Sequence, residues 1–232
     1  MPSPSWQYNE YSHLATDFHD PKQVAAYDAR QHTKIEEERA LVGELGLTNN
    51  MVVLEYGPGT GAFARAAATV VRQVHAVDIS HAMLEYAQSR AQEAGAHNIA
   101  FHHGGFLTYT HQGEPADVIV TKFALHHLPD FWKGVALERM AGFLKPGGRF
   151  VLQDVIFSFD PEDFEAEINR WIDEQTADGS GFSRADFEAH VRDEHSTFTW
   201  VLNALFDRAG FEVEACRVDS PTYAWFFCKK RG

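Results

Sequence analysis

Basic residues are scarce in this chain: 20 lysines and arginines face 33 aspartates and glutamates, a net charge of −13 at neutral pH over 232 residues. Phosphate backbones are gripped by cationic surface, so this balance argues against a nucleic-acid partner. The one basic cluster, Lys229-Lys230-Arg231, is a chain end. Cysteine is rarer still. Cys216 and Cys228 form no CxxC pair, which argues against both a disulfide framework and a zinc site. No apolar run approaches the roughly 20 residues that cross a bilayer, and MPSPSWQYNE is too polar for a signal segment. A cytoplasmic protein with no membrane partner is the expectation. Repeats and low-complexity tracts are absent, and no feature specifies an oligomeric state. The rest is ordinary, with 44% hydrophobic and 23% charged residues, so one α/β domain over residues 1–232 is expected.

The most informative stretch is Met51–Ala64, MVVLEYGPGTGAFA, followed by VHAVD at Val74–Asp78. A short apolar run ends in an acid, Glu55. Gly57, Gly59 and Gly61 then alternate, and the next segment reads as a helix. Glycine accepts backbone angles and close approaches that a Cβ forbids, so this spacing lets the main chain press against a ligand. Seventeen residues after Gly61, a second apolar run ends at Asp78. A glycine loop between strand and helix, with a carboxylate closing the next strand, is a nucleoside-binding arrangement.

Periodicity predicts strands over 51–55, 73–78, 98–103, 116–121, 148–154, 211–218 and 222–229, with helices over 60–70, 80–94, 131–143 and 197–209. A further helical stretch runs from Pro21 to Leu45, with Gly46 as its stop. Strands spaced by helices imply a parallel sheet with right-handed crossovers. The last two strands are separated only by Ser220-Pro221, too short for a crossover, so they pair antiparallel. Between the fifth strand and the helix at 197–209 lies an insertion, Ile156–Ser196. It holds six aromatics, among them Trp171 and Phe187, and from Asp160 to Glu194 carries 12 acids against three arginines. Two readings compete: a lid whose acids and aromatics draw in a cationic substrate, or an amphipathic helix pair with its carboxylates solvated.

Four motifs, in order over about residues 50–155, resemble those of the class I S-adenosylmethionine-dependent methyltransferases, small-molecule type. VLEYGPGTGAF is similar to the loop that passes under the amino-acid part of the cofactor, which implies Glu55, Gly57, Gly59 and Gly61 as cofactor residues. VHAVDIS resembles the strand end whose acid, here Asp78, binds both ribose hydroxyls; Ile79 and Met83 follow it along the cofactor. ADVIVTKFALHHLPD resembles the fourth-strand motif and sets Thr121 to Ala124, Phe123 included, beside the sulfonium. LKPGGRFVLQD resembles the turn and fifth strand. One departure stands out: many relatives carry an acid after the third strand that contacts the adenine amino group, where HHGGFLTY has Gly105. Adenine recognition is then expected from backbone groups and Phe106, with Tyr27 of the N-terminal helix covering the cofactor.

The resemblance implies a Rossmann-like α/β fold. Its seven-stranded, mainly parallel sheet has a terminal antiparallel hairpin strand, an N-terminal helical cap (1–46) and a helical lid insertion (157–196). It implies methyl transfer from S-adenosylmethionine, with S-adenosylhomocysteine as product, to a small-molecule acceptor whose O, N, C or S nucleophile is undetermined.

Other readings of the same residues stay open at this point. Gly57-x-Gly59-x-x-Ala62 also matches the dinucleotide fingerprint, which would make the chain a nicotinamide-dependent oxidoreductase. Against that, Glu55 would repel a pyrophosphate and attract a sulfonium or ammonium. A cofactor-binding regulator without turnover is the third possibility. His127, just beyond the fourth strand, is a candidate general base, against a role packing the strand–loop junction with His126. His195, oriented by Glu194, is a second candidate base, against helix capping with Ser196 as N-cap. His102-His103, His126-His127 and His190 with His195 give no i, i+4 ligand pair, so no metal site is expected.

Overall fold

The run Val52–Tyr56 is buried along its whole length, as a parallel strand covered on both faces must be. In the computed structural model, which describes residues 4–11, 24, 35–177 and 182–232, this strand is β1. In chain order the elements are α1 (Ile35–Glu44), β1 (Val52–Tyr56), α2 (Ala62–Ala68), β2 (Gln73–Asp78), α3 (His81–Glu93), β3 (Ile99–His103) and β4 (Ala116–Lys122). Then follow α4 (Asp130–Phe143), β5 (Leu144–Phe157), α5 (Phe164–Ala177), α6 (Arg184–Asp193), β6 (Thr197–Phe198), α7 (Thr199–Arg208), β7 (Phe211–Ser220) and β8 (Tyr223–Lys230).

The strand order is β3-β2-β1-β4-β5-β8-β7. Strands β1 to β5 pair parallel, and β8 runs antiparallel between β5 and β7. The two-residue link before β8 permits nothing else. Side chains alternate across the sheet. Leu54, Ile119 and Phe150 meet Leu137 and Met140 of α4 and Phe206 of α7 on one face. Val53, Val118 and Val151 meet Leu41 of α1 and Phe63 of α2 on the other. Each fully buried Leu or Phe contributes about 1.5–3 kcal/mol.

The structure differs from the sequence expectations in three places. Strand β5 starts at Leu144, which pairs with Ala116, four residues earlier than expected. Thr197 and Phe198 are drawn into the short strand β6 against Ile156 and Phe157, so the following helix starts only at Thr199. Its N-cap is Phe198 rather than Ser196, whose hydroxyl pairs instead with His190 at 2.8 Å. The insertion is an amphipathic helix pair: Trp171, Ile172 and Phe187 turn onto Val155 and Phe157, while Glu165, Asp173 and Glu188 face solvent. Of the predicted Pro21–Leu45 helix, Val24 and Ile35–Glu44 are helical, and Gly46 follows at φ +58°. Tyr27 lies outside the described residues.

Candidate functional site

Sequence order reverses between β1 and β4, and in parallel α/β sheets the crevice beyond the strand ends at such a reversal is where ligands bind. Here it is a cleft of about 760 Å³, counted out to its open mouth. The end of β1 lines it with Tyr56, Gly57 and Gly59; β2 and the start of α3 with Val77, Asp78, Ile79, Ser80 and Met83. The turn after β3 adds Gly104 to Phe106, the end of β4 adds Lys122 to Ala124, and His127 and Leu128 close one wall. Glu10 completes it from the N-terminal segment.

The loop needs its glycines for different reasons. Gly57 has φ +66°, and a Cβ there would lie 2.6 Å from Ala124 Cβ, so the loop touches the turn after β4. Gly61 has φ +78° and a Cβ would press on Ala87 of α3 at 3.0 Å. Gly61 therefore serves helix packing and does not line the cleft. Among the described residues Phe123 alone is a non-glycine at positive φ, +51°, a conformation costing about 1–3 kcal/mol that is typical of functional loops. It is held by its N–H donating to Gln153 O at 2.8 Å and by the Tyr223 ring 6.1 Å away.

Charge is concentrated around this loop. Asp78 accepts from Ser80 N at 2.8 Å, and burial pushes its carboxyl up to about 6, against the backbone N–H groups that favour its ionised form. Glu55, 3% exposed, is pushed by burial up to about 8, with Lys122 partly opposing. Lys122 donates to Glu38 Oε1 from α1. Oε2 of Glu38 and Oε2 of Glu55 are buried with no hydrogen-bond partner among the described residues. Two carboxyls thus share one lysine beside the glycine loop, and an added cation would satisfy what they lack.

A second polar network stands behind the wall at His127. His126 gives its N–H to Asp154 Oδ2 at 3.0 Å and its Nδ1 to Oδ1 at 2.5 Å; Asp154 is 2% exposed. Glu194 Oε2 lies 3.1 Å from His126 Nε2 and 2.5 Å from His190 Nδ1. Burial alone would depress the His126 imidazole, but the Asp154 and Glu194 carboxylates beside it overrule that and push it up to about 9. Burial would raise Glu194 and Asp154, yet the neighbouring imidazolium holds both below the usual carboxylate range. Burial, reinforced by the charge on His126, pushes His127 down to about 3. His127 is therefore a neutral imidazole at physiological pH, with a buried Nδ1 that makes no hydrogen bond among the described residues.

The sequence candidates Gly57, Gly59, Asp78, Ile79, Met83, Gly105, Phe106, Phe123 and His127 all line the cleft. Glu55 and Thr121 are buried without lining it, Glu55 acting through Lys122 and Thr121 pairing with Tyr56 and Leu152 within the sheet. His195 does not line it either: its N–H donates to His126 O at 2.9 Å and its carbonyl accepts from Lys133. Glu194, expected to orient His195, sits instead between His126 and His190. One atom each of His126, His127 and Glu194 lie within 4.8 Å of one another, a grouping invisible to local spacing because it joins the turn after β4 to the insertion. Sequence reasoning also missed Glu10 and Tyr56, and it covered Lys122 only within the span Thr121 to Ala124 beside the sulfonium. Tyr56 sits inside a quoted motif, VLEYGPGTGAF, and could have been found; Glu10 lies in a segment without periodicity.

Comparison with known proteins gives the same picture. A family described as a methyltransferase domain matches residues 53–148. A methyltransferase of Geobacillus kaustophilus is 32% identical over 162 residues, covering 70% of this chain and 69% of that protein. A methyltransferase of Bacillus pumilus is 26% identical over 222 residues, covering 95% and 96%. The crystal structure of an S-adenosylmethionine-dependent methyltransferase from Aquifex aeolicus superposes with a TM-score of 0.64 at 17% identity, covering 90% of this chain and 98% of that one. With the glycine loop, the acid ending β2 and the antiparallel β8 already in place, the chain belongs to the class I S-adenosylmethionine-dependent methyltransferase family.

Proposed function

We propose that this enzyme transfers a methyl group from S-adenosylmethionine to a small-molecule acceptor bound in the cleft beyond β1, β2 and β4. The observation that carries this is the pairing of a strand-end acid, Asp78, with the carboxyls of Glu55 and Glu38, each with one oxygen unsatisfied. One suits a diol and the other a cation, and both adjoin a glycine loop. A dinucleotide pyrophosphate would meet carboxyl groups there instead of an anion site.

When bound, S-adenosylmethionine supplies a methyl group already activated by its sulfonium. The protein's task is then to bind, orient and exclude water, and alignment alone can contribute about 7–11 kcal/mol. Asp78 accepts the ribose hydroxyls. The main chain at Gly57 and Gly59 would hold the amino-acid end, and the carboxyls of Glu55 and Glu38, which outnumber Lys122, would compensate its ammonium. Ile79, Met83 and Phe106 would form apolar walls for the base, and Phe123 and Ala124 would border the methyl group. His127, neutral and facing the same cleft, accepts a hydrogen bond from the incoming nucleophile and orients it. The net charge of −13 argues against a nucleic-acid acceptor. Among the described residues no helix is long and apolar enough to cross a membrane.

Acceptor-dependent formation of S-adenosylhomocysteine, followed by mass spectrometry across pools of phenols, alcohols, amines and thiols, tests this. Wild type should turn over at least one class, and Asp78→Ala none. Turnover indifferent to Asp78→Ala would refute the placement of the cofactor.

A further inference from the structure

We infer that Glu10, carried into the cleft by the N-terminal segment, reads the exocyclic amino group of the cofactor's adenine. The inference rests on the cofactor reading proposed above and assigns a specificity-determining residue within that site.

The turn after β3 has no side chain at Gly105. A Cβ built there would lie 2.5 Å from both Cδ and Oε2 of Glu10 and 2.7 Å from Cγ2 of Ile79. The carboxyl of Glu10 therefore fills the space that a side chain at position 105 would take. Ile79 directly follows Asp78, the acid assigned to the ribose, so Glu10 sits where a base attached to that ribose would reach. The surrounding walls, Ile79, Met83 and Phe106, are apolar and suit a flat ring.

Glu10 is 7% exposed and firmly placed. Thr108 Oγ1 donates to its Oε1 at 2.7 Å, and Leu107 N–H reaches Oε2 at 3.0 Å and Oε1 at 3.3 Å. Since the Thr108 proton goes to Glu10, the Tyr11 hydroxyl donates to Thr108 Oγ1 at 2.9 Å, which tightens the same turn. These donors are neutral, and no cation pairs with Glu10 among the described residues. A carboxylate offers about four acceptor sites and no donor, so capacity remains for a further N–H. An amino group satisfies it; a carbonyl in the same place repels it. The chemistry thus selects a 6-amino purine over a 6-oxo purine.

The segment carrying Glu10 is pinned across the cleft at a second point. Tyr8 Oη donates to His127 O at 3.0 Å, and Trp6 stacks on Trp132 with centroids 6.4 Å apart. Glu10 could therefore matter only as a clasp for this segment, and the test must separate that role from base recognition.

Calorimetric titration of the full chain with S-adenosylhomocysteine and with S-inosylhomocysteine, which carries a carbonyl in place of the amino group, makes the separation. Wild type should prefer the adenosyl ligand by at least tenfold (about 1.4 kcal/mol). Glu10→Gln, whose amide can turn a donor to either base, and Glu10→Ala should both bring the two affinities within about threefold of each other. If both variants weaken the two ligands equally and the preference survives, Glu10 is only a clasp and the inference fails. If wild type binds neither ligand, the cofactor reading itself fails and takes the inference with it.

Discussion

Asp154→Asn should cost this protein far more than its size suggests, and by an amount that depends on pH. The substitution keeps the shape of a residue that is 2% exposed and retains an acceptor for the His126 N–H, but removes the charge facing the His126 imidazolium. Breaking one side of a buried ion pair costs about 3–5 kcal/mol. For a chain of this length that corresponds to a fall in Tm of roughly 6–20 °C. The pH signature is independent of that loss. His126 is held at about 9 instead of its ordinary 6.5. A raised folded-state value favours folding fully below pH 6.5, by about 3 kcal/mol here, and the contribution disappears as pH climbs through 9. Urea unfolding at pH 6, 7.5 and 9.5 reads both effects. Wild type should lose stability over that range, and the variant should start lower and lose much less. A variant within 1 kcal/mol of wild type with an unchanged pH slope would show that packing, not the ion pair, fixes the turn after β4.

Three further outcomes follow from the cleft. Gly57→Ala adds a Cβ 2.6 Å from Ala124 Cβ at φ +66°, so it should destabilise by about 1–3 kcal/mol and weaken S-adenosylhomocysteine binding more than tenfold. Thermal melts with and without ligand check both. Glu55, raised to about 8, is largely protonated at pH 7. Taking up the ligand's ammonium lowers it and releases about one proton, so affinity rises from pH 6 to 8 as Asp78 and then Glu55 ionise. Titration in buffers of different ionisation enthalpy measures that release, and Glu55→Gln should abolish it. Phe123→Gly removes the strain at φ +51°. It should leave stability within about 1 kcal/mol of wild type while lowering turnover, because the aromatic wall beside the methyl group is lost.

Much of this was readable in the chain because the signals are local. Short apolar runs, largely buried on both faces, marked β1, β2 and β4, alternating glycines marked the loop, and the two-residue link before β8 dictated an antiparallel partner. What escaped notice depends on distant residues meeting. Glu194 was read as a partner for His195 four positions from His190, yet it turns to His126, 68 residues earlier in the chain. Ser196 looked like an N-cap until β6 pairing with Ile156 and Phe157 moved the helix start to Thr199. Glu10 sits in a polar, aperiodic segment, and its carboxyl meets the vacant side-chain position at Gly105 and the donors of Leu107 and Thr108, about 97 residues further along the chain.

The central claim is that Asp78 and the glycine loop hold S-adenosylmethionine. Its most direct test is calorimetric titration with S-adenosylhomocysteine, wild type beside Asp78→Ala, with NADH as control ligand. The account predicts micromolar or tighter binding to wild type, at least tenfold weaker binding to the variant (about 1.4 kcal/mol), and no heat with NADH. Binding of NADH in place of S-adenosylhomocysteine, or equal affinity in the two proteins, would contradict it.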